Sequence, residues 1–489
     1  MNRPGSKILF ISALSLALMF ALSAGRLLAD NSFDSPFGVH PAFINEKDAG
    51  YSPARDMNVH WDRPSRYVFW CLVQKDLNRP CYDWAFYDML LQALPGTMHC
   101  MFNITTVPAN IFDPEKMARL NPGALKHRGE ALRYTKGESY LPGSSEKYLS
   151  FVKACVERYD GDGTGDMPDL RSPVKYWQVD NEPVTKYPGY TQLLRMTHDA
   201  IKEADPGAMV LYGGSTARAE APVDEYIQRF DRENAPALRE LKGKGFEIFD
   251  MHFYGYAHGD YRKFGKYFAH VKAALKENGY PPETQIWCTE MGTYSGQPMG
   301  GSPFQSERDQ AGDIVRRYIY PLSLGVKKVF LAFGLVEGFR NNGGYFDFTG
   351  LIYDGKFGND RGRGVKKLGY YTYKKLSETL YGIDLNSIRA LRESDRVFIY
   401  EARRKKGGKV WIAWWDFWEE PGMKEKKITL TLKPGLSLKI TEALPRCQSG
   451  AEVTDYGKAF ATYAGEAGEN GCLPLVLKDS PLLIEERMR

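Results

Sequence analysis

Two glutamates in this chain have a setting that can do chemistry. Glu182 follows the run Lys175-Tyr176-Trp177-Gln178-Val179-Asp180-Asn181, and Glu290 follows Gln285-Ile286-Trp287-Cys288-Thr289. Both runs use Val, Ile, Tyr and Trp, which fill strand interiors. Both soon meet a residue that continues a sheet poorly, Pro183 in one case and Gly292 in the other. Each glutamate is therefore expected where a strand gives way to a loop. In a barrel of parallel strands that is the end where reactive groups are assembled. Two carboxylates meeting there are the minimum equipment for breaking a glycosidic bond. Separations of about 5–5.5 Å suit retention of configuration, and wider ones suit inversion.

The rest of the chain must supply the barrel. Strand-like and helix-like segments alternate, as βα units do. Strands are expected at 37–40, 59–63, 98–104, 174–180, 209–212, 248–254, 286–290 and 328–333. Helices are expected at 83–94, 146–159, 190–204, 223–241, 261–278, 310–324 and 370–380. Eight strands predict an α/β fold, the (β/α)₈ TIM barrel. The polar, Pro- and Gly-rich segment 105–140 is too long for an ordinary connection and is expected to act as a lid or cleft wall.

From about residue 384 the pattern changes to short strands at 396–400, 410–415, 428–432 and 436–441, separated by turns such as Lys406-Gly407-Gly408 and Pro434-Gly435. This predicts a C-terminal all-β sandwich. Trp411, Trp414, Trp415 and Trp418 crowd one of its strands. A strand apolar on both sides is expected to pack between layers, here by docking onto the barrel. The division expected is a leader at 1–29, a catalytic barrel at 30–383 and a sandwich at 384–489.

Composition narrows the class of protein. With 43% hydrophobic and 26% charged residues over 489 positions, the chain is globular. Arg3 and Lys7 precede an apolar run at 8–22, and Ala29 follows at a suitable cleavage point, the layout of a secretory signal. The run is short for a spanning helix, which needs roughly 20 residues. A secreted or periplasmic protein with no membrane segment after cleavage is expected. Net charge is +5, and Arg3, Lys7 and Arg26 would leave with the leader, so nucleic acid is not an expected partner.

Seven cysteines leave at least one unpaired; Cys447 with Cys472, and Cys71 with Cys81, are candidate bridges in an oxidising compartment. Cys288 is expected as a small buried filler. No spacing resembles a zinc site, and no cofactor is expected. The block Asp160-Gly161-Asp162-Gly163-Thr164-Gly165-Asp166 resembles the start of an EF-hand-type calcium loop, but Arg171 stands where the closing glutamate belongs. A Gly/Asp-rich turn is the alternative, and no metal is assigned.

Several segments together resemble the (β/α)₈ retaining glycoside hydrolases of clan A, closest in look to families 39 and 5. Trp177-Gln178-Val179-Asp180-Asn181-Glu182-Pro183 is similar to the fourth-strand signature, whose glutamate is the general acid/base. Ile286-Trp287-Cys288-Thr289-Glu290 is similar to the seventh-strand signature, whose glutamate is the nucleophile. His252-Phe253-Tyr254 resembles the sixth-strand His-x-Tyr, in which Tyr bonds the nucleophile and His contacts sugar or the acid/base. Trp61-Asp62-Arg63-Pro64 resembles the second-strand segment whose Arg steadies the nucleophile. Gly350-Leu351-Ile352-Tyr353-Asp354-Gly355, leading to Tyr370-Tyr371-Thr372-Tyr373-Lys374, is similar to the approach to the last helix.

The resemblance spans roughly residues 35–380 and implies a retaining glycosidase acting on a carbohydrate. Glu182 and Glu290 would be catalytic, and Asn181, His252, Tyr254 and Arg63 would form the substrate-binding surround. Asn181 would bond a sugar 2-hydroxyl. Tyr254 and Arg63 would hold Glu290 ionised, and Glu182 is expected to have a raised pKa. One departure is Ala332-Phe333-Gly334, where the eighth strand often ends in a sugar-stacking Trp. The alternatives are a transglycosylase using the same residues and a non-catalytic glycan-binding protein.

Overall fold

The computed structural model describes residues 34–44, 50–113, 129–358 and 360–487. The expected leader lies outside them. Eight parallel strands form a closed barrel: β1 (Phe37–His40), β2 (Trp61–Asp62), β3 (His99–Thr105), β4 (Tyr176–Val179), β5 (Met209–Leu211), β6 (Ile248–Tyr254), β7 (Gln285–Gly292) and β8 (Val329–Ala332). Closure is made by β8 on β1, with Ala332 opposite His40, and by β2 on both β1 and β3, with Trp61 opposite Gly38 and His99. An extra two-residue strand, Val68–Phe69, pairs with the end of β3. No helix among the described residues is long and apolar enough to cross a membrane.

Helices pack outside the ring. The Ser144 side chain caps Ser145–Tyr159, and Ser306 with Asp309 forms a reciprocal capping box opening Glu307–Leu324. The single helix expected over 223–241 is two, Val223–Glu233 and Ala235–Leu241. Pro236 is the reason: it lacks an amide proton and fits only the first turn of a new helix.

Period-two alternation sorts the barrel strands. Along β6, Phe249, Met251 and Phe253 join the core beneath the helices. Ile248 joins Trp61, Met101, Leu211, Trp287 and Phe330, which fill one layer inside the barrel. Asp250, His252 and Tyr254 then succeed one another on the inner face toward the C-terminal end of the strand.

From Ile383 onward the chain is antiparallel. Strands β9 (Ile383–Ser394), β10 (Val397–Arg404), β11 (Lys409–Trp415), β13 (Ser437–Pro445), β14 (Phe460–Glu466) and β16 (Leu482–Glu486) form a sheet in the order β9-β10-β11-β16-β13-β14. A ribbon of β12 (Lys426–Thr431) and β15 (Cys472–Leu477) covers one face.

Strand β11 is apolar on both sides, and its tryptophans divide between the two. Trp411 and Trp415 face the ribbon, whereas Trp414 enters the core shared with the barrel. Trp414 Nε1 donates to the Tyr261 hydroxyl at 2.9 Å, and that hydroxyl bonds the Asp416 carboxylate. Trp418 lies under the Arg316 guanidinium at 4.8 Å. Docking onto the barrel therefore falls to Trp414 and Trp418. Trp414→Ala is expected to cost about 3–5 kcal/mol by leaving a cavity at this joint. Denaturant unfolding checks it; a loss under about 1 kcal/mol would show that the module is merely appended.

All seven cysteines are free. Cys447 packs toward the barrel core, while Cys472 begins a strand of the ribbon on the opposite face of the sheet. Cys71 packs inward, and Cys81 is exposed. In the loop at 160–166, the carboxylates of Asp160, Asp162 and Asp166 accept the amides of Gly161, Asp162, Gly163 and Thr164 at 2.7–3.1 Å, the bonding of a tight Asp-rich turn.

Candidate active site

Glu182 is positioned by an unusual turn. After β4, Asp180 and Glu182 both take left-handed backbone angles, with φ of 67° and 49°. Asp tolerates this region, but Glu does so at a cost, and such strain persists only where neighbours enforce it. Here the Asp180 amide donates to Ile104 O at 3.0 Å, Thr105 Oγ1 donates to Asp180 Oδ2 at 3.0 Å, and the Glu182 amide donates to Gly213 O at 2.6 Å. Gly213 is obligatory, because a Cβ there would stand 2.7 Å from Val179 O and 2.8 Å from the Tyr190 hydroxyl. The described ends of the 105–140 segment pack beside this loop: the Tyr140 amide donates to Pro188 O, and its hydroxyl accepts from Val184 N.

Glu290 is positioned by a bulge. Met251 stands opposite Cys288, but His252 stands opposite Glu290, so Thr289 is the extra residue. Bulges re-aim side chains beside active sites. This one turns the Thr289 amide and hydroxyl onto Asp250, at 2.9 and 2.6 Å. The Glu290 side chain is only 2% exposed. Its Oε1 accepts from Arg63 Nη1 at 2.7 Å, and its Oε2 accepts from the Tyr254 hydroxyl at 2.6 Å. The Arg63 fork also donates from Nε to Gln178 Oε1 at 3.0 Å and from Nη2 to Asn181 Oδ1 at 2.5 Å. With its oxygen taken, Asn181 has its amide NH₂ left for a ligand.

The two acids meet. A carboxylate oxygen of Glu182, one of Glu290 and a ring nitrogen of His252 all lie within 4.8 Å of one another. His252 Nδ1 is 2.7 Å from Glu182 Oε1 and 3.4 Å from Glu290 Oε2. Glu290 is sealed, whereas the Glu182 side chain is 31% exposed, so one acid is fixed and the other reaches solvent. Glu290, Asn181, Tyr254 and Arg63 are thus joined by hydrogen bonds, and the His252–Glu182 pair is tied to them through Asp250 and Gln178.

The electrostatics differ from expectation at Glu182. Burial pushes its carboxyl pKa up, but the hydrogen bond and charge of His252, with the charges of Arg229 and Arg63, together outweigh it, and the net shift is downward. The proton affinity has moved to the imidazole. Burial lowers the His252 pKa, but the charges of Glu290 and then Asp250 override it and raise the value to about 10. His40 goes the other way: burial, then Arg63, lower it to about 3, so it is neutral, and its Nδ1–H donates to Arg63 O at 2.6 Å.

No family model matches the chain, and no curated protein matches it. Solved structures do. A family 39 glycoside hydrolase from the gut symbiont Bacteroides cellulosilyticus WH2 superposes with a TM-score of 0.58 at 15% identity, over 94% of this chain and 82% of that one. AbfB, a family 51 alpha-L-arabinofuranosidase from Bifidobacterium longum, gives 0.51 at 13% identity, over 92% of each chain. A GH51 arabinofuranosidase from Xanthomonas axonopodis pv. citri gives 0.50 at 11% identity, over 93% of each. The chain shares the fold of these glycoside hydrolases, a (β/α)₈ barrel. The likeness covers the β-module as well as the barrel.

Just past β8 the barrel carries Phe333, which stacks on Tyr254 at 5.9 Å and on exposed Phe339 at 4.2 Å, giving one aromatic wall beside Glu290. Four groups escaped the sequence reasoning: Gln178, Asp250, Thr289 and His40. Asp250 had a signal, as a charged residue in phase with His252 and Tyr254 on a strand otherwise apolar. Thr289 had none, since its role comes from the bulge. Tyr67 is a fifth: its ring lies 5.4 Å from the Arg63 guanidinium and 6.4 Å from His40.

Proposed function

We propose that this protein is a retaining O-glycoside hydrolase that cleaves a poly- or oligosaccharide by double displacement. Glu290 attacks the anomeric carbon. Glu182 protonates the departing oxygen and later takes a proton from water. The observation that carries this is that one carboxylate oxygen of each acid lies within 4.8 Å of the other, a short approach that suits a covalent intermediate. Their surroundings support the division of labour. Arg63 and Tyr254 hold the sealed acid rigid for attack, and the more exposed acid can meet both leaving group and water.

In this reading the Asn181 amide donates to the sugar 2-hydroxyl, and the Phe333 wall takes the place of an indole platform. An extracellular or periplasmic site of action rests on the sequence pattern of residues 1–29. No cofactor is required by this chemistry.

The test begins with a panel of aryl glycosides and polysaccharides to find a substrate. The matching 2-deoxy-2-fluoro glycoside with an activated leaving group should then inactivate the protein and add one glycosyl unit to the peptide containing Glu290. Proton NMR of the first product should show the substrate's anomer. Initial product of the opposite anomer, or a label elsewhere, would refute the assignment. Transglycosylation uses the same intermediate and would appear as longer products at high acceptor concentration.

A further inference from the structure

The hydrogen bonds around His252 lead beyond the two-acid description. His252 Nδ1 faces Glu182 Oε1 at 2.7 Å, and Nε2 faces Asp250 Oδ2 at 3.0 Å. Carboxylates only accept, so an imidazole between two of them is satisfied when both its nitrogens carry protons. Asp250 is an acceptor on every side. Gln178 Nε2 donates to its Oδ2 at 2.6 Å, as does Thr289 Oγ1 at 2.6 Å, and the Thr289 amide donates to its Oδ1 at 2.9 Å.

The pair is also walled in. Both side chains are fully buried, and a Cβ on Gly214 would stand 2.8 Å from His252 Nε2 and 3.3 Å from Asp250 Oδ2. A buried imidazolium with a buried carboxylate behind it and the candidate acid in front is a directed proton path.

Resting on the hydrolase assignment above, we propose that Asp250 is a positioning residue that makes His252 the resting store of the proton Glu182 delivers. The acid/base is then a two-residue unit, Glu182 with His252. In the first step the Nδ1 proton passes to Glu182 as Glu182 gives a proton to the glycosidic oxygen. The carbon–oxygen bond breaks with its electron pair going to that oxygen, and Glu290 bonds the anomeric carbon. His252 is left neutral, with Nε2–H still donated to Asp250.

Esterification removes the Glu290 charge, the largest influence raising the His252 proton affinity, so neutral imidazole is favoured at that moment. In the second step water loses a proton to Glu182, its oxygen bonds the anomeric carbon, and Glu290 departs as carboxylate. The proton returns to Nδ1 as the Glu290 charge reappears.

The groups facing His252 are consistent with this cycle. Glu182 comes from the loop after β4, Glu290 and the Thr289 hydroxyl come from β7, and Asp250 from β6 itself. Neutral His40 comes from β1, and Arg63, just past β2, faces the Asp250 charge. The Cys288 thiol beside Asp250 is held protonated, chiefly by burial. Burial opposes the imidazolium, Arg229 acts on Glu182, and the Arg63 guanidinium is already committed to Glu290, Gln178 and Asn181.

Nitrogen-15 NMR of the full chain without substrate tests the store directly. His252, identified among the eight histidines by the signal lost in His252→Gln, should keep both ring protons through pH 9. In Asp250→Asn it should lose its charge at a pH at least two units lower. Kinetics supply the second readout. Asp250→Asn should lower kcat/KM for an unactivated glycoside more than tenfold and move the basic limb of its pH profile toward neutrality. A dinitrophenyl glycoside, whose leaving group needs no proton, should change less than threefold, and Asp250→Glu should restore part of the loss.

Equal losses on both substrates with an unmoved pH profile would overturn the proposal, as would wild-type His252 that is neutral at pH 7.5 in an active enzyme. The wild-type titration stands even if the Asn variant does not fold. Protein that keeps the imidazolium but turns over no glycoside would overturn the hydrolase assignment, and the relay with it.

Discussion

Glu290→Gln should lower kcat/KM by about 10⁴-fold or more while the protein stays folded and still binds its glycan. The magnitude follows from what is lost. A nucleophile that is part of a concerted unit typically accounts for four or more orders of magnitude, here about 5 kcal/mol or more of barrier. Glutamine is the informative replacement because of the surroundings. Glu290 is sealed from solvent and accepts from both Arg63 and Tyr254. Its removal as alanine would strand a buried guanidinium, a disruption worth several kcal/mol in itself.

The glutamine oxygen can still accept from Arg63, and the Tyr254 hydroxyl can turn to accept from the new amide. Stability should therefore fall only by the lost charge pairing, and the unfolding curve separates this from the kinetic loss. A variant retaining a tenth or more of wild-type activity would remove Glu290 from the mechanism. Retained binding with no wild-type turnover would instead point to a glycan-binding protein. In Glu290→Ala, azide should enter the vacated space and yield a glycosyl azide of inverted configuration.

How far these residues could be read in advance depends on what fixed each of them. The barrel strands were legible because period-two alternation and abrupt Gly or Pro stops are local signals. β1 and β6 end where the alternation ends, at His40 and Tyr254. β2 shrank to Trp61–Asp62 because its pairing with both neighbours is only two residues long, a property of the ring and not of its own side chains.

At the site, Glu182, Glu290, His252, Tyr254 and Arg63 stand within or just past strands that converge inside a barrel, so order along the chain translated into proximity. The Glu182 carboxyl did not behave as the sequence suggested. A neighbouring negative charge was expected to raise its pKa, but His252 lies nearer and carries the opposing charge. That could not be foreseen without Asp250, whose effect passes through a hydrogen bond to a ring nitrogen, and Asp250 in turn is aimed by a bulge at Thr289 that no pattern announces. The split of the β11 tryptophans between two layers was similarly invisible, because both faces are equally apolar.

Glu182→Gln should produce a loss that depends on the leaving group, and this dependence separates the acid from every structural alternative. Removing general acid catalysis costs roughly 10²–10⁴-fold where the departing oxygen needs a proton. Unactivated oligosaccharides should therefore lose about three orders of magnitude in kcat/KM. A dinitrophenyl glycoside should retain most of its first-step rate, because its phenolate leaves unassisted. With that substrate the missing base slows the second step, so the glycosyl-enzyme should accumulate, visible as a burst of phenolate followed by slow turnover and as an added mass on the protein.

Azide needs no general base and should relieve the block, giving a glycosyl azide of retained configuration, opposite to that from Glu290→Ala. The fold should tolerate the change well. Glu182 is partly exposed, and its side chain holds no buried cation except through His252, to which a glutamine oxygen can still offer an acceptor. A uniform loss across leaving groups, or an azide product of inverted configuration, would mean that Glu182 serves the fold or the binding of sugar and that the proton comes from elsewhere.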